Sequence, residues 1–131
     1  MQSSHFDSVP PRHGDWGPAY LIQGPSSDIG LLTLRPGDEM PNHLHHHCDE
    51  SFIVVEGGAT LWVDCAEQFS LGPGDVYRCP PGEMHYFRNT TGTVLRMVFI
   101  KSPASAGDTV TLPWSPGQAV PPTPSIPADT H

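Results

Sequence analysis

The chain has 131 residues, fewer than the roughly 150 commonly allowed per domain, so one compact domain with a modest core is expected. Six Lys and Arg against fourteen Asp and Glu give a formal charge of −8, which repels phosphate backbones and anionic headgroups and argues against nucleic-acid and membrane partners. Sixteen prolines and thirteen glycines favour many short elements joined by tight turns over long helices.

Residues 1–15 hold Pro10, Pro11 and Gly14 without apolar periodicity and read as an irregular arm. Met1 to Pro10 shows neither a cationic start nor an apolar run, and nowhere do about 18 apolar residues follow one another, so neither export nor a membrane span is indicated and a cytoplasmic protein is expected. From Trp16 the pattern changes. Ala19–Gln23, Ile29–Arg35, His43–His47, Phe52–Val55, Ala59–Asp64, Asp75–Cys79, His85–Arg88 and Thr93–Lys101 are short and rich in β-branched and aromatic residues. Turn signals such as Pro36-Gly37, Gly72-Pro73-Gly74 and Pro81-Gly82 separate them. Eight strand candidates without intervening helical periodicity predict an all-β antiparallel sandwich or barrel over residues 16–101. Residues 102–131 are Pro-rich and lack Lys and Arg. This segment is expected to lie along the barrel as far as Trp114 and to be extended or disordered beyond Pro116. Cys48, Cys65 and Cys79 are too few, and odd in number, for a disulfide framework, so reduced thiols are expected.

The chemistry is concentrated in Asn42-His43-Leu44-His45-His46-His47-Cys48-Asp49-Glu50. Alternate side chains of a strand share a face, so His43 and His45, with His47 a further candidate, aim at one point while Leu44 and His46 point away. Glu50 begins the next apolar strand, and His85 opens another behind Pro80-Pro81-Gly82, a sequence suited to a type II turn. Three imidazoles and a carboxylate brought together in a barrel suit one divalent first-row metal with positions left for water or substrate.

On these residues the sequence resembles the cupin superfamily. The pattern G-x5-H-x-H-x4-E-x6-G is met by Gly37, His43, His45, Glu50 and Gly57, and G-x5-P-x-G-x2-H-x3-N by Gly74, Pro80, Gly82, His85 and Asn89. The resemblance implies a double-stranded β-helix, or jelly roll, with one metal held by His43, His45, Glu50 and His85. It implies no single reaction, because cupins include dioxygenases, decarboxylases, isomerases, lyases, cyclases and non-catalytic binding proteins.

Alternation places Phe52, Val54 and Phe87 on the inward face as pocket wall, with Leu61 and Val63 also inward. Arg78 either faces the pocket, where it would pair with an anionic or enolate oxygen, or is solvated on the outside. Trp62 points outward and needs a cover, either the N-terminal arm or a partner subunit. Cys48 shows no feature that would stabilise a thiolate. Apart from the ligands, the inward bases are His47, Tyr77 and Tyr86, a scant supply that favours redox chemistry over proton transfer. The expectation is a small-molecule metalloenzyme of Fe2+ dioxygenase type. The alternatives are a Lewis-acid isomerase, lyase or polyketide-type cyclase using Zn2+, Mn2+ or Ni2+, or a non-catalytic sugar- or metabolite-binding protein. Exposed sheet edges and outward Ile53, Val55 and Trp62 lead us to expect a homodimer.

Overall fold

The computed structural model describes residues 1–104 and 107–124. Ten strands form two five-stranded antiparallel sheets, β1-β2-β9-β4-β7 and β10-β3-β8-β5-β6. In chain order they are β1 (Gly17–Gln23), β2 (Asp28–Leu34), β3 (Glu39–His45), β4 (Asp49–Glu56), β5 (Ala59–Val63), β6 (Glu67–Leu71), β7 (Val76–Cys79), β8 (His85–Arg88), β9 (Leu95–Ser102) and β10 (Thr109–Thr111). The all-β expectation holds, and each of the eight sequence segments overlaps a strand. Among the described residues no helix is long and apolar enough to cross a membrane.

Two strands escaped the sequence reading. In β6 only Leu71 is buried, so the strand lacks the half-apolar alternation that would announce it. The three residues of β10 lie in the Pro-rich stretch and are strand only because they pair with His45, Leu44 and His43 of β3. The expected tail beyond Pro116 is described only to Pro124, and residues 125–131 lie outside the described residues.

Alternation builds the core. Along β9, Leu95, Met97 and Phe99 are buried while Arg96, Val98 and Ile100 are less so, and the buried set meets Leu32, Leu34, Phe52, Val54, Leu61 and Phe87 between the sheets. Full burial of such a side chain contributes about 1.5–3 kcal/mol each. Gly30 is required here: a Cβ at that position would lie 2.0 Å from Cζ of Phe99. Its absence lets the Phe99 ring lie over β2, where it meets Tyr20 edge-on at 5.1 Å.

The cover over Trp62 differs from expectation. Trp62 is buried with Tyr86 and Trp114, so the C-terminal segment, and neither the arm nor a partner, provides it. Tyr86 and Trp114 meet edge-on at 5.7 Å. The arm instead lies against the other sheet, with Phe6 beneath the Arg96 guanidinium at 5.4 Å. All three cysteines are free thiols, as expected.

Candidate metal centre

Two tight local structures bring the site together. The Pro80–Glu83 turn closes with the Glu83 amide donating to the Pro80 carbonyl at 3.2 Å, and Gly82 at φ 85° supplies the left-handed residue that a type II turn needs. This turn feeds His85 into β8, directly opposite His43 of β3. The corner between His45 and Glu50 is organised by Asp108, whose carboxylate accepts from the backbone N–H groups of His46, His47 and Cys48 at 2.9–3.1 Å. The chain thereby leaves one sheet with His45 and enters the other with Glu50. Three imidazoles of one sheet consequently face a carboxylate of the opposite sheet.

Nε2 of His45 and Nε2 of His85 each lie 3.0 Å from Oε1 of Glu50, and Nε2 of His43 lies 3.5 Å from it. All four side chains are buried, and one donor atom of each lies within 4.8 Å of the others. The opposite ring nitrogens have fixed partners: Nδ1 of His43 meets the Pro41 carbonyl at 2.7 Å, Nδ1 of His85 the Glu83 carbonyl at 3.1 Å, and Nδ1 of His45 the Thr109 hydroxyl at 3.2 Å. A carbonyl oxygen only accepts, so the His43 and His85 protons belong on Nδ1. Burial, reinforced by the neighbouring His43, lowers His85 to about 4, so at neutral pH it has one N–H, already committed to Glu83. Its Nε2 lone pair is then directed at an oxygen of Glu50.

Lone pairs at such separations repel unless a cation lies between them. Donors arranged around a first-row ion at about 2.1 Å stand about 3.0–3.4 Å apart, the edges of an octahedron or tetrahedron. The observed spacings are of that size, and the fixed Nδ1 partners are the outer hydrogen bonds that orient metal-binding histidines. This buried His/Glu cluster could therefore hold a metal ion.

The cluster opens into a cavity of about 330 Å³. Phe52 and Phe87 line it, as expected, with ring centroids 4.8 Å apart. Val54 is buried in the core and does not reach the cavity wall. His47 does not share the face of His43 and His45, because β3 ends at His45 and His47 is exposed on the corner. Tyr77 packs beside the core with its hydroxyl directed to the Ser70 carbonyl at 3.5 Å, outside the cavity. Tyr86 is turned away by alternation and donates to Glu39. Arg78 is exposed on the outer face, where Nε donates to the Ser51 hydroxyl at 3.0 Å. Cys48 is not a nucleophile, since burial, with Asp108 and Glu50 nearby, pushes its thiol up to about 12.

The polar groups that do line the cavity include Lys101, Tyr20, Thr109, Thr111 and Arg12. Lys101 Nζ donates to the Tyr20 hydroxyl at 2.5 Å and lies 5.1 Å from that ring's centroid. Burial alone would lower its ammonium, but Tyr20 and the charge of Glu50 hold it above the ordinary lysine value. Alternation through Leu95, Met97 and Phe99 carries a signal for Lys101, which continues the same inward row. Asp108 and Thr109 carry no such signal, because their role depends on contacts with residues about 60 positions earlier.

The sequence model described as "Cupin domain" matches residues 30–101. Among curated proteins the chain is similar to the polyketide synthase CurC of Streptomyces cyaneus, 36% identical over 78 residues, covering 60% of this chain. It spans about half the length of that relative, 50%. It is also similar to quercetin 2,3-dioxygenase of Bacillus subtilis, 35% identical over 52 residues, or 40% of this chain and 15% of that protein. Among solved structures, a conserved protein with a double-stranded β-helix domain from Klebsiella pneumoniae superposes with a TM-score of 0.75 at 22% identity, covering 85% of this chain and 96% of the other. The two facing sheets are therefore the expected jelly roll.

Proposed function

The chain belongs to the cupin family, and from that premise we propose that it is a metal-dependent enzyme acting on a small organic molecule, with Fe2+-type dioxygenation as the leading reading. The observation that carries this reading is the convergence of three imidazoles and Glu50, of which His43 and Glu50 line a cavity walled by Phe52, Phe87, Phe99 and Leu32. His43, His45, Glu50 and His85 would hold the ion, and a bound iron would supply an open Lewis-acid position and one-electron chemistry with O2. The aromatic and aliphatic wall keeps water from an activated substrate. Glu50 is committed to the imidazoles, and the remaining polar groups beside it are a protonated amine, a phenol and hydroxyls. None of these is a strong base at neutral pH, which supports redox chemistry over proton abstraction. The similarity to quercetin 2,3-dioxygenase points the same way. The deciding experiment is turnover under nitrogen, in a screen of catechols, diketones and thiols followed by oxygen uptake.

A second reading, Lewis-acid isomerisation, lyase or cyclase chemistry, is favoured by the Lys101–Tyr20 pair, which could hold an enolate oxygen while the metal polarises the adjoining carbonyl. The similarity to a polyketide synthase component accords with it. For quaternary structure we propose a homodimer through the outer face of the β1-β2-β9-β4-β7 sheet. There Ile53 and Val76 stand opposite one another, with relative exposures of 37% and 67%, beside Val55 at 41%.

A further inference from the structure

Lys101 is the only lysine in the chain, and it lines the cavity beside the candidate metal cluster. Two of the six Lys and Arg line this cavity, Lys101 and Arg12, against one of the fourteen Asp and Glu, Glu50. A protein with a formal charge of −8 has thus built a positive chamber. Glu50 stands opposite Lys101 across the sheet, but its Oε1 is directed at His43, His45 and His85, and among the described residues it makes no ion-pair contact with Nζ. With a divalent ion in the cluster the chamber stays positive, since the carboxylate cancels only part of the ion's charge. Among the described residues the one hydrogen-bond partner of Nζ is the Tyr20 hydroxyl, which leaves further ammonium N–H donors unused in a partly buried place. Such a partly buried ammonium gains a charge-assisted hydrogen bond when an anionic ligand oxygen takes one of those donors.

We propose that Lys101, oriented by Tyr20, is a substrate-binding residue that receives an anionic oxygen, a carboxylate or an acidic enol, of a small and otherwise apolar molecule. The apolar body of the ligand is met by Phe52, Phe87 and Phe99. Arg12, exposed at the mouth, draws the anion in. The Tyr20 hydroxyl holds the ammonium at the cavity wall, 5.9 Å from the Phe99 ring centroid. This inference specifies the substrate class of the site proposed above and rests on that reading for its location, but its own evidence is the placement of Lys101.

The test is calorimetric titration of the purified full chain with benzoate and with benzamide, a matched anionic and neutral pair. Metal content is measured on the same samples. Benzoate is expected to bind about tenfold or more tightly than benzamide, the difference of one charge-assisted contact. Lys101→Met should erase that preference while leaving benzamide affinity and metal content unchanged. Lys101→Arg should retain part of the preference, and Tyr20→Phe, which keeps the ammonium but frees it, should retain an intermediate part. Equal affinity for the two probes, or an unchanged benzoate preference in Lys101→Met, overturns the inference, as does no binding of benzoate at all. If the lysine-dependent preference is found in protein that never binds metal, the inference stands and the metalloenzyme reading falls. Should Lys101→Met fail to fold, a reduced preference in folded Tyr20→Phe supports the inference and an unchanged preference overturns it.

Discussion

Lys101 and Glu50 stand directly opposite one another on β9 and β4, so the chain's only lysine faces the carboxylate that closes the histidine cluster. Directly opposed residues on one face of a sheet have Cβ atoms about 4.5–5.5 Å apart. The pair therefore couples the substrate side of the cavity to the proposed metal side, and each side can be altered with the other as a control.

Metal content tests the cluster itself. His45→Ala, His85→Ala and Glu50→Gln are each expected to lower bound metal about tenfold or more, measured by elemental analysis of protein purified without chelator. The far-ultraviolet spectrum should remain that of a β-sandwich, because Leu34, Phe87, Leu95 and Met97 pack the core independently of the ion. Full stoichiometry in the variants would remove the assignment.

Oxygen dependence decides between the two reaction classes. Turnover of a substrate found in the screen should stop under nitrogen and after replacement of iron by zinc. Phe52→Asp and Phe87→Asp should each lower kcat about tenfold by hydrating the cavity. Undiminished activity under nitrogen with zinc or manganese would transfer the assignment to Lewis-acid chemistry. A ligand that binds tightly but is turned over by no metal form would make the protein a binding module.

Asp108 should matter for both stability and metal affinity. Its carboxylate accepts three successive backbone N–H groups at the corner that follows His45, so Asp108→Ala is expected to cost about 2–3 kcal/mol in a denaturant titration. Metal affinity should weaken as His45 loses its position. Burial alone would raise the Asp108 carboxyl, but the N–H groups of Cys48, His47 and His46 hold it below its usual range. A depressed folded value means that the contribution is complete above the unfolded value of about 4 and is lost as pH falls through the folded one. The stability gap between wild type and Asp108→Ala should narrow in that acid window and stay constant from pH 5 to 8; a gap that widened with acid would refute this role.

Light scattering tests the proposed homodimer. The wild type should have twice the mass of the chain at micromolar concentration, and Val76→Asp combined with Ile53→Asp should give a folded monomer, since charge on a buried apolar face opposes association. A monomeric wild type would count against it.

Eight of the ten described strands and the four clustered side chains were legible in the sequence because both depend on local rules. Period-two alternation marks Phe52, Leu61 and Phe87 as inward, Pro81-Gly82 marks the turn before His85, and the spacing of His43, His45, Glu50 and His85 carries the family pattern. The same alternation, carried one period beyond the strand end at His45, brought His47 into the site. Strand β3 ends at His45, where Asp108 draws the backbone into a corner, and a break imposed by a residue 61 positions away leaves no local trace. Tyr77 falls outside the cavity for a related reason: alternation fixes the face of a side chain but not how far along the sheet the cavity extends, nor which end of the sandwich opens. For Arg78 the outward of the two expected positions is the one found. Tertiary structure alone decided that Asp108 and Thr109 of the Pro-rich segment support the histidines and that Trp114 covers Trp62. It also set Lys101 against Tyr20 and Glu50, because those contacts depend on the pairing of distant strands, which no run of neighbouring residues encodes.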